Sequence, residues 1–242
     1  MELSKRLNAV ASLVTEGYRL ADIGTDHAYI PIYLVSSGKI PEAVAMDVNR
    51  GPLLRAEENI RANGLQNKIK TRISDGFAAL NREEADSAVI AGMGGSLTIR
   101  ILREGDGLVC SLKECILQPQ SEIEKVRAFL LEEGFFFLGE DMVEEDGKYY
   151  PMMKVRPPQG RCGARNEPDW NETELRYGKL LLREKNPVLR EYLRREICIR
   201  TGILDRLKDR NSPDVQRRIA ELEEELKIAQ ERVHGAAEGA QD

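Results

Sequence analysis

The sequence predicts an α/β protein: a mostly parallel sheet covered by helices, finished by an antiparallel edge, with a separate helical unit behind it. Three observations carry this. Short apolar runs alternate with amphipathic stretches through the first half of the chain. An Asp-Gly step then separates two aromatic-rich runs, and past a proline- and glycine-rich break the pattern is helical. Alternation of strand and helix is the mark of parallel strands joined by crossovers.

The elements follow in order. Leu3, Leu7, Val10, Ala11 and Val14 recur at helical spacing, so the chain should open with a helix lying on the sheet. Strands are expected at residues 19–24, 42–48, 69–74, 87–92 and 114–118, and helices at 29–37, 51–63, 97–103 and 122–133. Parallel neighbours need long returns over a sheet face, which these helices supply. Residues 134–138 and 148–155 flank Glu145-Asp146-Gly147, and Asp-Gly suits the positive φ angles of a tight hairpin, which would form the antiparallel edge.

Pro157-Pro158-Gln159-Gly160-Arg161-Cys162-Gly163 breaks regular structure, so two domains are expected, 1–156 and 157–242. Asn186-Pro187 should start a helix running through Leu189, Leu193, Ile197, Leu204 and Leu207. After an Asn211-Ser212-Pro213-Asp214 turn, Val215, Ile219, Leu222, Leu226, Ala229 and Val233 alternate spacings of four and three, the pattern of a coiled-coil hairpin. Residues 235–242 read as a frayed tail.

Composition narrows the function classes. A chain of 242 residues with 41% hydrophobic content can bury one substantial core and a smaller second one. Its longest apolar runs fall far short of the ~20 residues a bilayer helix needs, and no signal-like block follows the first six residues, so a cytoplasmic protein without a membrane partner is expected. Four cysteines form no CxxC pair and there are two histidines, which predicts buried reduced thiols and no metal centre. A net charge of −5 argues against nucleic acid for the chain as a whole. Bases nevertheless outnumber acids between Pro151 and Arg218, which favours a polyanionic partner for the second unit.

Ligands of such sheets bind beyond the carboxyl ends of the strands. Leu20-Ala21-Asp22-Ile23-Gly24 closes the first strand there: Gly24 admits close backbone approach and Asp22 can accept from an ammonium group. The GxGxxG of a dinucleotide site is absent, with Thr25, Asp26 and His27 in its place, and acids repel phosphate. A nucleoside without phosphate but with a cationic amino-acid tail fits better, and S-adenosylmethionine has both. Asp47, about 25 residues after Asp22, stands where an acid meets ribose hydroxyls. Asp75 can meet an adenine amino group with Gly76 leaving room, and Gly92-Met93 exposes backbone where a methionyl tail and a nucleophile would meet.

At this point the sequence resembles the TrmK family of bacterial tRNA (adenine-22-N1)-methyltransferases over nearly its whole length. The blocks that carry the likeness are Lys5-Arg6-Leu7, the ten residues from Asp22 to Pro31, Asp75-Gly76, Ala91-Gly92-Met93-Gly94-Gly95 and Leu117-Gln118-Pro119-Gln120. The resemblance implies a class I methyltransferase sheet, S-adenosylmethionine as methyl donor, tRNA as partner, and a C-terminal coiled coil that helps hold it. It implies a cofactor pocket of Asp22, Gly24, His27, Asp47, Asp75, Gly76, Gly92 and Met93. Asp26 is expected to stabilise charge on the base, Tyr29 to stack on an everted adenine, and Gln118 and Gln120 to read its edge. No Asp/Asn-Pro-Pro-aromatic motif of exocyclic-amine methylation follows the fourth strand, which suits a ring nitrogen. The chain is expected to be a monomer or a weak dimer. The rival readings are a nicotinamide-dependent oxidoreductase and a non-catalytic tRNA-binding scaffold with a relic pocket.

Overall fold

Strand β1 (Leu20–Ile23) is buried at every position and lies between β2 (Ala43–Asp47) and β4 (Ser87–Met93), parallel to both. A computed structural model describes residues 2–158, 170–207 and 219 of the chain. With β3 (Ile69–Ile73), β5 (Glu114–Pro119), β6 (Phe136–Glu145) and β7 (Lys148–Arg156), these strands form a seven-stranded sheet in the order β3-β2-β1-β4-β5-β7-β6. The first five are parallel; β7 runs antiparallel to both β5 and β6, so the expected antiparallel edge is a hairpin whose second strand lies inside its first. Asp146 and Gly147 turn the hairpin with φ of 53° and 73°, the twist that lets two strands pair without splaying.

Helices α1 (Lys5–Leu13), α2 (Tyr29–Ser36), α3 (Arg50–Ala62), α4 (Gly95–Glu104), α5 (Asp106–Val109) and α6 (Ile123–Glu132) accompany this sheet. Val10 and Ala11 of α1 join Leu20, Ile32, Leu34, Ala45, Val89 and Ile116 in one apolar core. Charged pairs tie the layers together where apolar packing stops. Arg127 of α6 meets Glu140 of β6 at 2.8 Å with both side chains fully enclosed. Buried Glu114 accepts from the Thr15 amide at 2.9 Å and hydroxyl at 2.6 Å, the Ser87 hydroxyl at 3.0 Å and the Lys154 ammonium at 3.0 Å.

The same region anchors the C-terminal end of α1. Lys154 Nζ donates to the Leu13 carbonyl at 2.8 Å, and Lys39 Nζ to those of Ala11 and Ser12 at 3.0 and 2.8 Å. Two ammonium groups thus satisfy carbonyls that the helix end leaves unpaired and complement its dipole. At the other end the Ser4 hydroxyl caps α1 by accepting from the Leu7 amide at 3.3 Å. The helix is held at both ends, which fixes Arg6 in its first turn.

Two compact units make up the chain, Met1–Trp170 and Asn171–Asp242. The second unit contains α7 (Glu172–Tyr177), α8 (Lys179–Arg183) and α9 (Pro187–Leu207). Asn171 and Glu174 form a reciprocal capping box at α7, and the Asn186 side chain accepts from the Val188 and Leu189 amides to start α9 at Pro187, as the Asn-Pro step predicts. Leu189, Leu193 and Leu204 are buried on α9. The coiled-coil turn at 211–214, its second arm from Val215 to Val233 and the tail at 235–242 lie outside the described residues, apart from Ile219.

Several boundaries differ from expectation. Helix α4 begins at Gly95 rather than 97, because Gly94 caps it where a glycine pair reads as loop. Strand β6 extends to Glu145, its half-exposed acids having masked it. The short α5 gives no sequence signal at all. Of the cysteines, Cys115 is buried as expected, but Cys110 is half-buried and Cys198 exposed; Cys162 lies outside the described residues. No described helix is long and apolar enough to cross a membrane, and no described group of three or more His, Cys, Asp or Glu is placed to hold a metal ion.

Candidate functional site

The strand order reverses between β1 and β4, and parallel sheets open a crevice at the carboxyl ends of such a pair. Here a cleft of about 350 Å³ lies at that point. Asp22, Gly24, Asp26, His27, Tyr29, Gly92 and Met93 all line it, together with Arg6, Leu7, Thr25, Ile30, Ala91 and Gln120. With Gln120, eight residues given roles by the strand-end and family patterns thus meet in one place.

Asp22, on β1, is 7% exposed. Desolvation pushes its carboxyl up to about 6; the Thr25 hydroxyl opposes this and the nearby charge of Asp47 adds to it. Among the described residues no basic side chain pairs with it. Beyond it the chain turns at Gly24, whose amide and that of Thr25 both donate to the Met46 carbonyl at 2.8 Å. Gly24 has φ +73°, and a Cβ there would stand 1.9 Å from the Met93 methyl carbon. The left-handed φ favours glycine, and a Cβ there would require the Met93 tail to move.

Asp26 Oδ1 accepts from Arg55 Nη2 at 2.8 Å and Nε at 3.2 Å, with His27 Nε2 at 3.5 Å. The His27 ring stacks on that of Tyr29, centroids 5.0 Å apart and planes within 5°. Tyr29 is exposed. On the opposite wall β4 is interrupted: the register with β5 slips between Ala91 and Met93, and Gly92 takes φ +81°. Such bulges re-aim backbone at sites. Arg6 Nη1 and Gln120 Nε2 each lie 3.7 Å from where a Gly92 Cβ would be.

The remaining predicted residues stand apart from this cleft. Gln118 is fully buried behind it: its Oε1 accepts from Arg6 Nη1 at 2.9 Å and its Nε2 donates to the Pro119 carbonyl at 3.1 Å. Asp75 and Gly76 line a second recess of about 330 Å³ with Ile101, Gly105 and Leu108, and Asp75 pairs with Arg100 at 3.3 Å. Asp47 lines neither; it ends β2, where its Oδ1 accepts from the Asn49 amide at 2.6 Å.

Arg6 and Leu7 are the lining residues that strand-end reasoning misses. Arg6 reaches the cleft from α1, its guanidinium 5.6 Å from the Tyr150 ring centroid. Beside the Lys5-Arg6-Leu7 block of the family resemblance, the signal available is a cation in the first turn of a helix otherwise built to lie on a sheet. Chemically, the cleft joins a buried carboxyl, open backbone at two positive-φ glycines, an exposed aromatic face and edge-reading amide and guanidinium groups. That set can hold a cationic amino-acid group beside a planar base.

A family model for a methyltransferase domain matches residues 3–153. The tRNA (adenine(22)-N(1))-methyltransferase of Bacillus subtilis (strain 168) is 31% identical over 97% of this chain and 99% of its own. A Streptococcus pneumoniae protein solved in complex with S-adenosyl-L-methionine is 33% identical, with a TM-score of 0.82 over 96% of this chain and 100% of that one. TrmK of M. capricolum, solved with S-adenosyl-homocysteine, is 28% identical with a TM-score of 0.74, covering 95% of this chain and 100% of its own.

Proposed function

The chain belongs to the TrmK family of bacterial tRNA (adenine-22-N1)-methyltransferases, and from that premise we infer that it transfers a methyl group from S-adenosylmethionine to N1 of adenine 22 in tRNA. The observation that carries the reading is the buried Asp22, with no described cation beside it, flanked by the two open glycines Gly24 and Gly92 at the switch point of the sheet.

The residues present fit the donor. Asp22 is matched to its ammonium group, since a buried carboxyl without a cation gains most from acquiring one. Gly24 leaves the space that a Cβ would fill, and Met93, whose flexible tail lies over it, can give way or cover the bound tail. Asp47 at the end of β2 is assigned to the ribose hydroxyls, Asp75 and Gly76 to the adenine, and His27, Gly92 and Met93 to the methionyl portion. When bound, the donor supplies an electrophilic methyl on a sulfonium.

Neutral adenine has its N1 lone pair available, so this chain's task is alignment more than proton removal. Tyr29, fixed on one face by His27, offers its other face to the everted base. As the N1–methyl bond forms, the methyl–sulfur bond breaks and its electron pair stays on sulfur; the positive charge passes to the ring. Asp26 stabilises that charge and accepts the amino hydrogen, which becomes more acidic as the ring becomes cationic. Gln120 meets the base edge from the opposite wall. Gln118 acts through Arg6, whose guanidinium it holds at 2.9 Å.

The helical unit is assigned to tRNA binding, supported by exposed Arg190, Arg194 and Arg206 on α9 and by the basic composition between Pro151 and Arg218. Such a partner places the enzyme in the cytoplasm. The test is incubation with unmodified tRNA and labelled donor, followed by reverse transcription. Label transfer with a new stop at position 22, lost when adenine 22 is replaced by guanine, is expected; tRNA that is bound but never labelled would mean a scaffold.

A further inference from the structure

We propose that Arg55 and Asn59 of α3 are positioning residues that hold the loop 25–28 in the one conformation that turns Asp26 into the cleft and sets His27 beneath Tyr29. The inference rests on the reading of Asp26 given above and extends it to residues outside the cleft.

The loop cannot hold itself. His27 and Ala28 are consecutive side-chain-bearing residues with φ of 66° and 55°, a left-handed pair that L-residues avoid unless surrounding contacts impose it. Ala28 is also the N-cap of α2, and no side chain caps that helix. The first helical residue, Tyr29, therefore takes its position from the strained loop before it.

The imposing contacts come from α3. Arg55 and Asn59 are four positions apart and so share one helix face. Asn59 Nδ2 donates to the His27 carbonyl at 3.0 Å and lies 3.5 Å from His27 Nδ1, holding both the backbone and the ring of the left-handed residue. Arg55 grips Asp26 through two nitrogens, and both reach the same oxygen, Oδ1. His27 Nε2 approaches that oxygen too. Oδ2 is left without a hydrogen-bond partner among the described residues, on a side chain that lines the cleft. The Arg55 and Asp26 side chains are 47% and 60% exposed, and such ion pairs do little for stability. What this pair does is aim a carboxylate.

The experiment measures single-turnover methyl transfer to saturating tRNA, S-adenosylhomocysteine affinity and melting temperature for Arg55→Ala, Asn59→Ala, Asp26→Ala and the Arg55→Ala/Asp26→Ala double variant. Arg55→Gln serves as a second, bulk-conserving variant. In the Arg55 variants loss of aim is expected to slow turnover about 10- to 100-fold with melting and cofactor affinity unchanged. Asn59→Ala, which also frees His27, is expected to slow turnover and weaken cofactor binding together. Arg55→Ala is expected to cost nothing further once Asp26 is gone. Losses that multiply in the double variant, or an Arg55→Ala loss that tracks cofactor affinity, would overturn the clamp. Wild-type turnover of Arg55→Ala and Arg55→Gln beside a slow Asp26→Ala would overturn the clamp alone. A fast Asp26→Ala would remove the underlying reading as well.

Discussion

The Met93 methyl carbon lies across the α-carbon of Gly24, so that any side chain at position 24 would collide with it 1.9 Å away. Gly24 follows β1 and Met93 ends β4, and both line the cleft. Gly24→Ala is therefore expected to cost about 1–2 kcal/mol of stability through its left-handed φ and to abolish detectable S-adenosylhomocysteine binding in calorimetry. Because a side chain at position 24 would push the Met93 tail into the cleft, adding Met93→Ala should return part of that affinity, and no return would locate the clash elsewhere.

Asp22 makes cofactor binding pH-dependent. Its carboxyl titrates at about 6 in the folded chain, against an ordinary 3.8. The raised value means that this group's contribution to stability is fully present below pH 3.8 and lost as pH rises through about 6, a loss of about 3 kcal/mol. Asp22→Asn should remove that loss, so the ligand-free variant is expected to outlast the wild type in denaturant at about pH 7 but not at about pH 4. Binding an ammonium group needs the ionised form, so wild-type affinity for S-adenosylhomocysteine should fall about tenfold per pH unit below about 6. Asp22→Asn should bind weakly with no such slope.

Arg6 and Gln118 are one device. Arg6→Ala is expected to lower methyl transfer and tRNA affinity while sparing the cofactor, and Gln118→Ala to produce the same change more weakly, through a guanidinium that is no longer held. Combined, the two should fall short of the product of their separate effects, because they share one hydrogen bond. Independent effects in the kinetics of the four proteins would separate them.

The enclosed Arg127–Glu140 pair is a matter of stability alone. Arg127→Met removes the cation held 2.8 Å from the enclosed Glu140 carboxylate, which should cost about 3–5 kcal/mol in chemical denaturation. Replacing both residues with apolar ones of similar size should recover much of that. Cofactor affinity at a temperature where the variant stays folded should not change.

Much of this is legible because the signals are local. Asp22, Gly24, Gly92 and Met93 are read from strand ends, where an acid or glycine interrupts an apolar run, and a parallel sheet carries all such ends to one side. The hairpin follows from Asp146-Gly147 alone. What stays hidden depends on distance in sequence: Arg6 and Gln118 meet across 112 positions, and Asp26 and Arg55 across 29. No periodicity encodes such pairings. Nor does the sequence say that Gln118 is buried behind the cleft while Gln120, two residues on, lines it. Strand alternation would put residues two apart on one face; the two differ because β5 ends at Pro119, which leaves Gln120 beyond the strand.

The most direct measurement is a crystal structure of the chain with S-adenosylhomocysteine. The amino group should meet Asp22, the ribose hydroxyls Asp47, and the sulfur should face the gap between Met93 and Tyr29. A ligand lodged away from the ends of β1 and β4, or seated there with Asp22 untouched, would contradict the account.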